Sequence, residues 1–155
     1  MAGRGGSVIL ISGPLPHTLA GRTCLIRILL VDDNARIRAN LRAVLEQVAE
    51  WVVVGEAANG RKAVETWRES APDVTVMDFL MPEMNGLEAA RRLSKRYPEA
   101  PILMVTTDPS RQLGEEAKRA GIRGLCPKSD IRCLLEAVKA LLRGQTYFHW
   151  DVAAA

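Results

Sequence analysis

Apolar and polar residues alternate along most of the chain in a way that predicts parallel strands separated by helices. From Leu25 onward, a short apolar run is followed by an amphipathic stretch five times. This alternation is typical of a βα repeat, in which helices cover a parallel sheet. The predicted strands are Ile26–Val31, Val52–Gly55, Val74–Met77, Ile102–Val105 and Gly124–Cys126.

The predicted strands differ in how polar their neighbourhood is. The first, third and fourth are almost wholly apolar, which favours central strands covered on both faces. Val52–Val54 is flanked by more polar sequence and is predicted to be an edge strand. We therefore predict an α/β fold: a doubly wound, five-stranded parallel sheet, flavodoxin-like, with strand order 2-1-3-4-5 and helices on both faces.

Helical periodicity fills the segments between the strands. Apolar residues recur at helical spacing from Ile37 to Val48 and from Ile131 to Leu142. Asn59 is predicted to be the N-cap of a shorter helix. A helix around Leu87–Leu93 ends before Pro98, and a weakly apolar one, Gln112–Ala120, ends at Gly121.

Length and composition fit one domain with termini outside it. The chain has 155 residues, of which 48% are hydrophobic and 25% charged, as in ordinary globular proteins. Residues 1–25 are rich in Gly, Pro and Ser and are predicted to be a flexible leader. Residues 26–145 are predicted to form the domain, and residues 146–155 a C-terminal tail or the start of a linker.

Charge, cysteine usage and hydropathy exclude several classes of protein. The net charge is +3 and no basic block stands out, so nucleic-acid binding by this chain is not expected. Cys24, Cys126 and Cys133 have no paired spacing, which argues against a disulfide framework and against a zinc site. No apolar stretch approaches the ~18 residues that a membrane span needs. We expect a cytoplasmic protein with no membrane partner.

Polar residues cluster at the predicted carboxyl ends of the strands. Asp32 and Asp33 follow the first strand, Asp78 follows the third, Thr106 ends the fourth, and Lys128 follows the fifth. Each alone has an ordinary explanation, such as a helix cap or a loop-opening aspartate. Together they put like charges side by side, which raises carboxyl pKa values unless a cation neutralises them. Mg²⁺ suits such oxygen ligands, and one carboxylate is then free to attack phosphorus.

These residues lie in motifs that resemble the receiver domain of two-component response regulators. The motifs occur in the family's order and the resemblance covers about residues 26–145. They are Ile28–Asn34, Val74–Pro82, Met84–Glu88, Ile102–Thr106 and Gly124–Lys128.

The resemblance implies a magnesium-dependent phosphoacceptor site. Asp78 would accept the phosphoryl group and Asp33 would be the main Mg²⁺ ligand. Asp32 would act beside it, partly through water, and the backbone carbonyl of Leu80 would complete the metal site. Apart from this self-catalysed transfer and its hydrolysis, the resemblance implies a signalling switch and no enzyme.

The resemblance also implies the phosphate contacts and the switch. Lys128 would pair with the phosphoryl group and Thr106 would shift toward it, with Thr107 beside it. Pro82 and Gly86 would shape the loop after the acceptor.

Some positions depart from the family's pattern. Leu80 stands where many relatives have a polar residue, so the rate of phosphate loss is left open. Thr107 is bulkier than usual and could narrow access to the acceptor. Leu125 stands at the position of the switch aromatic, and Pro127 lacks a backbone donor.

Val54–Gly60 and Lys128-Ser129 are similar to the NarL/FixJ-like subfamily. This likeness implies a sensor histidine kinase as phosphodonor, a possible homodimer, and transcription control through a C-terminal helix-turn-helix that binds DNA. Such a domain does not fit between Gly144 and Ala155, so we expect either a single-domain regulator or, preferably, the receiver part of a longer one.

Three alternatives differ in chemistry. A phosphate-independent pseudo-receiver would keep the fold as a protein-interaction module. A phosphatase of the haloacid dehalogenase type needs a second aspartate at position 80, which is Leu80. A flavodoxin needs a phosphate-binding loop after the first strand, where Asp32 and Asp33 would repel phosphate.

Overall fold

A computed structural model describes residues 18–19 and 22–150 of the chain. Its main sheet has six strands, all parallel, in the order β2-β1-β3-β4-β5-β6. The strands are β1 (Ile26–Val31), β2 (Trp51–Ala57), β3 (Val74–Asp78), β4 (Ile102–Thr106), β5 (Gly124–Pro127) and β6 (Tyr147–Phe148). The predicted fold class and the order of the first five strands are confirmed, with β2 at an edge.

The sixth strand was not predicted. Gly124 pairs with Tyr147 and Leu125 with Phe148, so β6 covers the outer edge of β5. A strand of two residues is too short to show an alternating pattern, and its pairing depends on the helix that returns the chain to this edge. Part of the segment predicted to be a tail therefore joins the sheet.

The predicted leader lies mostly outside the described residues. Within it, Thr18–Leu19 pairs antiparallel with Arg22–Thr23 to form a separate two-stranded sheet. Among the described residues, none of the helices combines the length and apolar character needed to cross a bilayer.

Five helices connect the strands, and a side-chain cap begins each of them. Asn34, Asn59, Asn85, Ser110 and Asp130 each accept a hydrogen bond from a backbone N–H of the first turn, which satisfies donors that have no partner within the helix. The helices are α1 (Ala35–Leu45), α2 (Gly60–Ser70), α3 (Gly86–Arg96), α4 (Arg111–Arg119) and α5 (Ile131–Leu142).

Two helix ends test the predicted boundaries. The first helix ends at Leu45, so Val48 lies beyond it, although Val48 still packs against the core. Gly121 follows the fourth helix with φ +87°, a left-handed conformation that glycine adopts without a Cβ penalty. This agrees with its predicted role as a helix terminator.

The core consists of two layers separated by the sheet. One layer packs α1 and α5 against the face that carries Ile28 and Leu30 of β1. The other packs α2, α3 and α4 against the face that carries Leu29 and Val31. Because β1 is buried on both faces from Ile28 to Val31, its sequence is continuously apolar over those residues.

Phe148 of β6 and Trp150 just after it pack on α4. The indole of Trp150 lies over Gly114, where a Cβ atom would stand 2.9 Å from the ring. The Lys118 ammonium of the same helix lies 4.8 Å from the centroid of the Phe148 ring, within the range of a cation–π contact. The fourth helix and the C-terminal segment are thus in direct contact.

Candidate phosphoacceptor and metal site

The carboxyl ends of the central strands bring the predicted polar residues to one edge of the sheet. Asp32 directly follows β1, Asp78 ends β3, Thr106 ends β4, and Lys128 directly follows β5. Parallel strands end at the same edge, so residues distant in sequence become neighbours. Asp32 and Asp78 are 0% and 6% exposed, an unusual degree of burial for aspartates, and Thr106 is 3% exposed.

The Lys128 ammonium joins the two buried aspartates. Its Nζ lies 2.5 Å from Oδ2 of Asp32 and 3.1 Å from Oδ2 of Asp78, and its side chain is 10% exposed. A buried charge is costly unless it is paired, and here one cation serves two carboxylates.

The Lys128 ammonium only partly compensates the negative charge of the Asp78 carboxylate. Burial raises the pKa of Asp78, the Lys128 ammonium lowers it, and the nearby Asp32 raises it again, with a net increase. Burial alone would lower the pKa of Lys128, but its hydrogen bond to Asp32 and the charge of Asp78 outweigh burial and raise it. The lysine is therefore held firmly in its charged form, while Asp78 still lacks part of the positive charge that would stabilise its ionised form.

A third carboxylate completes an acidic cluster. Oxygen atoms of Asp32, Asp33 and Asp78 lie within 4.8 Å of one another, and Asp33 is exposed at the mouth of the site. Mg²⁺ binds through a few carboxylates and keeps several waters, so this arrangement of oxygen donors with one open side fits the ion.

Two hydrogen bonds hold Asp32 in place, one at its carboxylate and one at its backbone carbonyl. Its Oδ1 accepts the Asn34 N–H at 2.9 Å, and its carbonyl oxygen accepts a hydrogen bond from the Arg38 guanidinium at 2.6 Å. Asn34 itself caps α1, so the ordinary capping role and the acidic site occupy successive residues of one turn. Sequence reasoning missed Arg38, because an arginine on an amphipathic helix gives no sign of an inward contact.

The loop after Asp78 is shaped by a close backbone approach. Gly86 N–H donates to the Phe79 carbonyl at 2.8 Å, and a Cβ at Gly86 would stand 2.4 Å from the carbonyl oxygen of Asp78. Only glycine fits at this position without a backbone shift. Pro82 accepts the Met84 N–H at 2.7 Å, and the Leu80 side chain is 66% exposed.

The predicted switch residues lie on β4 and β5 or directly after them. Thr106 Oγ1 accepts the Asp108 N–H at 3.3 Å, which is a long hydrogen bond, so the hydroxyl is weakly held. Thr107 is exposed, whereas Leu125 is fully buried at 0%. Pro127 lies in register with Thr106 and has no N–H, and the Lys128 N–H donates to the Thr106 carbonyl at 2.8 Å instead.

The chain matches the family model described as response regulator receiver domain over residues 28–139. It is 35% identical over 130 residues to the response regulator UvrY of Escherichia coli (strain K12), covering 83% of this chain and 60% of the relative. It is 34% identical over 125 residues to the transcriptional regulatory protein DegU of Brevibacillus brevis, covering 80% and 53%. The chain thus spans little more than half the length of these relatives.

A solved structure shows the same likeness in three dimensions. A two-component response regulator of the LuxR family from Aurantimonas sp. SI85-9A1 superimposes with a TM-score of 0.80 at 34% identity, over 84% of this chain and 94% of that one. Sequence, fold and family model agree, and the predicted resemblance is confirmed. This chain belongs to the response regulator receiver domain family.

Proposed function

We propose that Asp78 accepts a phosphoryl group from a histidine of a sensor kinase, in a Mg²⁺-dependent reaction that the receiver itself catalyses. The observation that supports this most is the Lys128 ammonium, which lies 3.1 Å from Asp78 on a side chain that is only 10% exposed. A cation held there is in place to receive the negative charge of a transferred phosphoryl group. Membership of the family favours the same chemistry.

In this proposal Asp78 is the nucleophile. One of its carboxylate oxygens attacks phosphorus, a P–O bond forms, the P–N bond to the kinase histidine breaks, and the imidazole leaves with the bonding electrons. Asp33 and Asp32 would hold Mg²⁺ with Asp78 and the Leu80 carbonyl. When bound, the ion would neutralise charge on the phosphoryl oxygens. Because the site relies on positioning and charge, none of these residues needs to move a proton.

After transfer, Lys128 and Thr106 would contact the phosphoryl oxygens. The weakly held Thr106 hydroxyl is free to exchange its long contact with Asp108 for a charge-assisted hydrogen bond to the phosphoryl group. Thr106 would thereby shift the population of two arrangements around α4. Thr107 is exposed next to Thr106, where it would border the entry to the site.

We propose that the switched surface controls transcription through a DNA-binding helix-turn-helix domain beyond this chain, in the cytoplasm, with a homodimer as one possible output state. DegU, a curated relative, is named a transcriptional regulatory protein, and the chain covers 53% of it. The remaining length of such relatives leaves room for an output domain.

The test is phosphorylation by a small donor. Wild type incubated with acetyl phosphate and Mg²⁺ should gain the mass of one phosphoryl group, and EDTA should prevent the gain. Asp78→Asn should gain nothing and Asp33→Asn far less than wild type. Asp73→Asn is the matched control. Asp73 directly precedes β3, at the amino ends of the strands, where it accepts the Arg27 N–H at 2.8 Å. Its replacement should leave the gain of phosphoryl mass unchanged.

Two results would contradict the proposal. An unmodified wild type would favour the phosphate-independent pseudo-receiver, and an undiminished gain in Asp78→Asn would place the phosphoryl group elsewhere.

A further inference from the structure

Three side chains of types that can bind transition metals lie together near the first turn of α5, outside the acidic site. They are Asp130, Cys133 and His149, and their candidate ligand atoms all lie within 4.8 Å of one another. Cysteine spacing argued against a zinc site. Cysteine spacing does not detect this cluster, because it combines one cysteine with a carboxylate and an imidazole from two separate elements.

The backbone orients two of the ligands toward the same point. Asp130 caps α5, and its Oδ1 accepts the Cys133 N–H at 2.9 Å, which holds the carboxylate against the first turn of the helix and leaves its second oxygen available. The Asp130–Cys133 spacing of three residues also places both side chains on one side of the helix.

The third ligand arrives from the edge of the sheet. The His149 N–H donates to the Leu125 carbonyl at 2.8 Å and so continues the ladder between β5 and β6. His149 is thus anchored through its backbone, while its side chain remains exposed and can rotate.

The three ligands line a small surface pocket of about 150 Å³. Cys133 is 6% exposed, and its thiol lies 3.8 Å from the Tyr147 hydroxyl oxygen, whereas Asp130 and His149 are exposed. A buried soft ligand therefore forms the floor of the pocket, and two exposed ligands stand at its mouth, where an ion can enter. Glu136 also lines the pocket and offers a further oxygen.

We propose that Asp130, Cys133 and His149 form a Zn²⁺ site. Zn²⁺ favours tetrahedral sets of thiolate, imidazole and carboxylate ligands at about 2.0–2.3 Å, which puts neighbouring ligand atoms roughly 3.5 Å apart. Rotation of the two exposed side chains closes the remaining distance of about 1 Å. Water or Glu136 takes the fourth position.

The charges suit a divalent ion. On binding, the Cys133 thiol releases its proton to solvent, and the thiolate and carboxylate then balance the two positive charges of the ion. Among the residues that line the pocket, Arg132 is the one arginine or lysine, and its exposed side chain can turn to solvent. Thiolate and imidazole select Zn²⁺ over Mg²⁺, so the cluster and the acidic site take different ions.

The experiment is calorimetric titration of the full, untagged chain with Zn²⁺ in excess Mg²⁺, which occupies the acidic site. We expect one Zn²⁺ per wild-type chain. His149→Gln and Cys133→Ser should each weaken binding at least tenfold. Co²⁺ in place of Zn²⁺ should give a thiolate-to-metal absorption band that Cys133→Ser lacks. Cys24→Ser removes an exposed cysteine outside the cluster and is the matched control, with unchanged affinity and band.

The exposed position of His149 makes its variant the decisive one, since its side chain can be replaced without disturbing the core even if Cys133→Ser folds poorly. Absence of stoichiometric Zn²⁺ binding in wild type would overturn the proposal. Equal affinity of wild type and His149→Gln for Zn²⁺ would also overturn it. So would a result in which Asp33→Asn loses Zn²⁺ binding while His149→Gln keeps it.

Discussion

Replacing Lys128 by methionine should destabilise the fold strongly, because it removes an ammonium that contacts two buried aspartates. Methionine keeps much of the side chain's length and apolar stem, so the change isolates the charge. Asp32 is fully buried and Asp78 is 6% exposed, so water from the open side of the site can solvate these carboxylates only in part once the cation is gone.

The magnitude follows from the two distances. At an effective dielectric constant of about 20, unit charges at 2.5 and 3.1 Å attract by about 7 and 5 kcal/mol. Desolvation of the ions cancels much of this gain, and loss of one partner of a buried ion pair typically costs about 3–5 kcal/mol. We expect a loss of unfolding free energy in that range at pH 7.

The loss should depend on pH with a definite sign. Burial and Asp32 already raise the pKa of Asp78, and without Lys128 it rises further. A carboxyl group whose folded pKa exceeds its unfolded value is penalised when ionised, and stability falls as pH rises through the folded pKa. The difference between the variant and wild type should therefore shrink as pH falls toward the unfolded value of about 3.9.

The assay is urea unfolding in EDTA at several pH values. Lys62→Met is the control: Lys62 is 64% exposed and lies 3.8 Å from Glu65, so its loss should cost under about 0.5 kcal/mol. Equal losses for the two variants at pH 7, or a Lys128 effect that grows on acidification, would refute the electrostatic account.

Four further substitutions test the packing and the switch. Gly86→Ala places a Cβ 2.4 Å from the Asp78 carbonyl oxygen and should lower the free energy of unfolding in urea by about 1–3 kcal/mol. Gly121→Ala and Gly144→Ala both put an alanine where the backbone has a positive φ. Only the Cβ at position 121 meets a side chain, the Ser94 hydroxyl at 2.3 Å, so Gly121→Ala should have the lower urea midpoint of the two. Thr106→Ala loses one long hydrogen bond and should cost at most about 1 kcal/mol. It should still gain phosphoryl mass, yet lose any phosphorylation-dependent change in hydrogen exchange of α4.

Burial on both faces explains why the central strands could be predicted closely. Ile26–Val31 has the predicted bounds, and β3 and β4 are each one residue longer, through Asp78 and Thr106. Those extra residues are polar, so a pattern based on apolar runs stops just before them. The same polarity marked them as candidates for the site, and the structure does bring Asp78 and Thr106 to one edge of the sheet.

Features that depend on distant contacts could not be predicted in this way. The partners of β6 and the neighbourhood of His149 are set by the return of the chain through α5, which no local spacing encodes. Arg38 is similar, because its guanidinium reaches the Asp32 carbonyl only after α1 packs on the sheet. Propensity and periodicity describe elements, whereas these contacts arise from how the elements are assembled.

The contact between Gly114 and Trp150 provides a built-in optical reporter. A side chain at Gly114 would displace the indole, so the ring now rests directly on the backbone of α4. Indole emission responds to the polarity and packing around the ring, and any motion of α4 away from β5 alters both. Trp51 is buried against the opposite face of the sheet and Trp67 stacks on Tyr97, whereas the Trp150 ring is the one of these three that lies against Gly114 of this helix. The emission of Trp150 can therefore follow the position of α4 in real time without an added label.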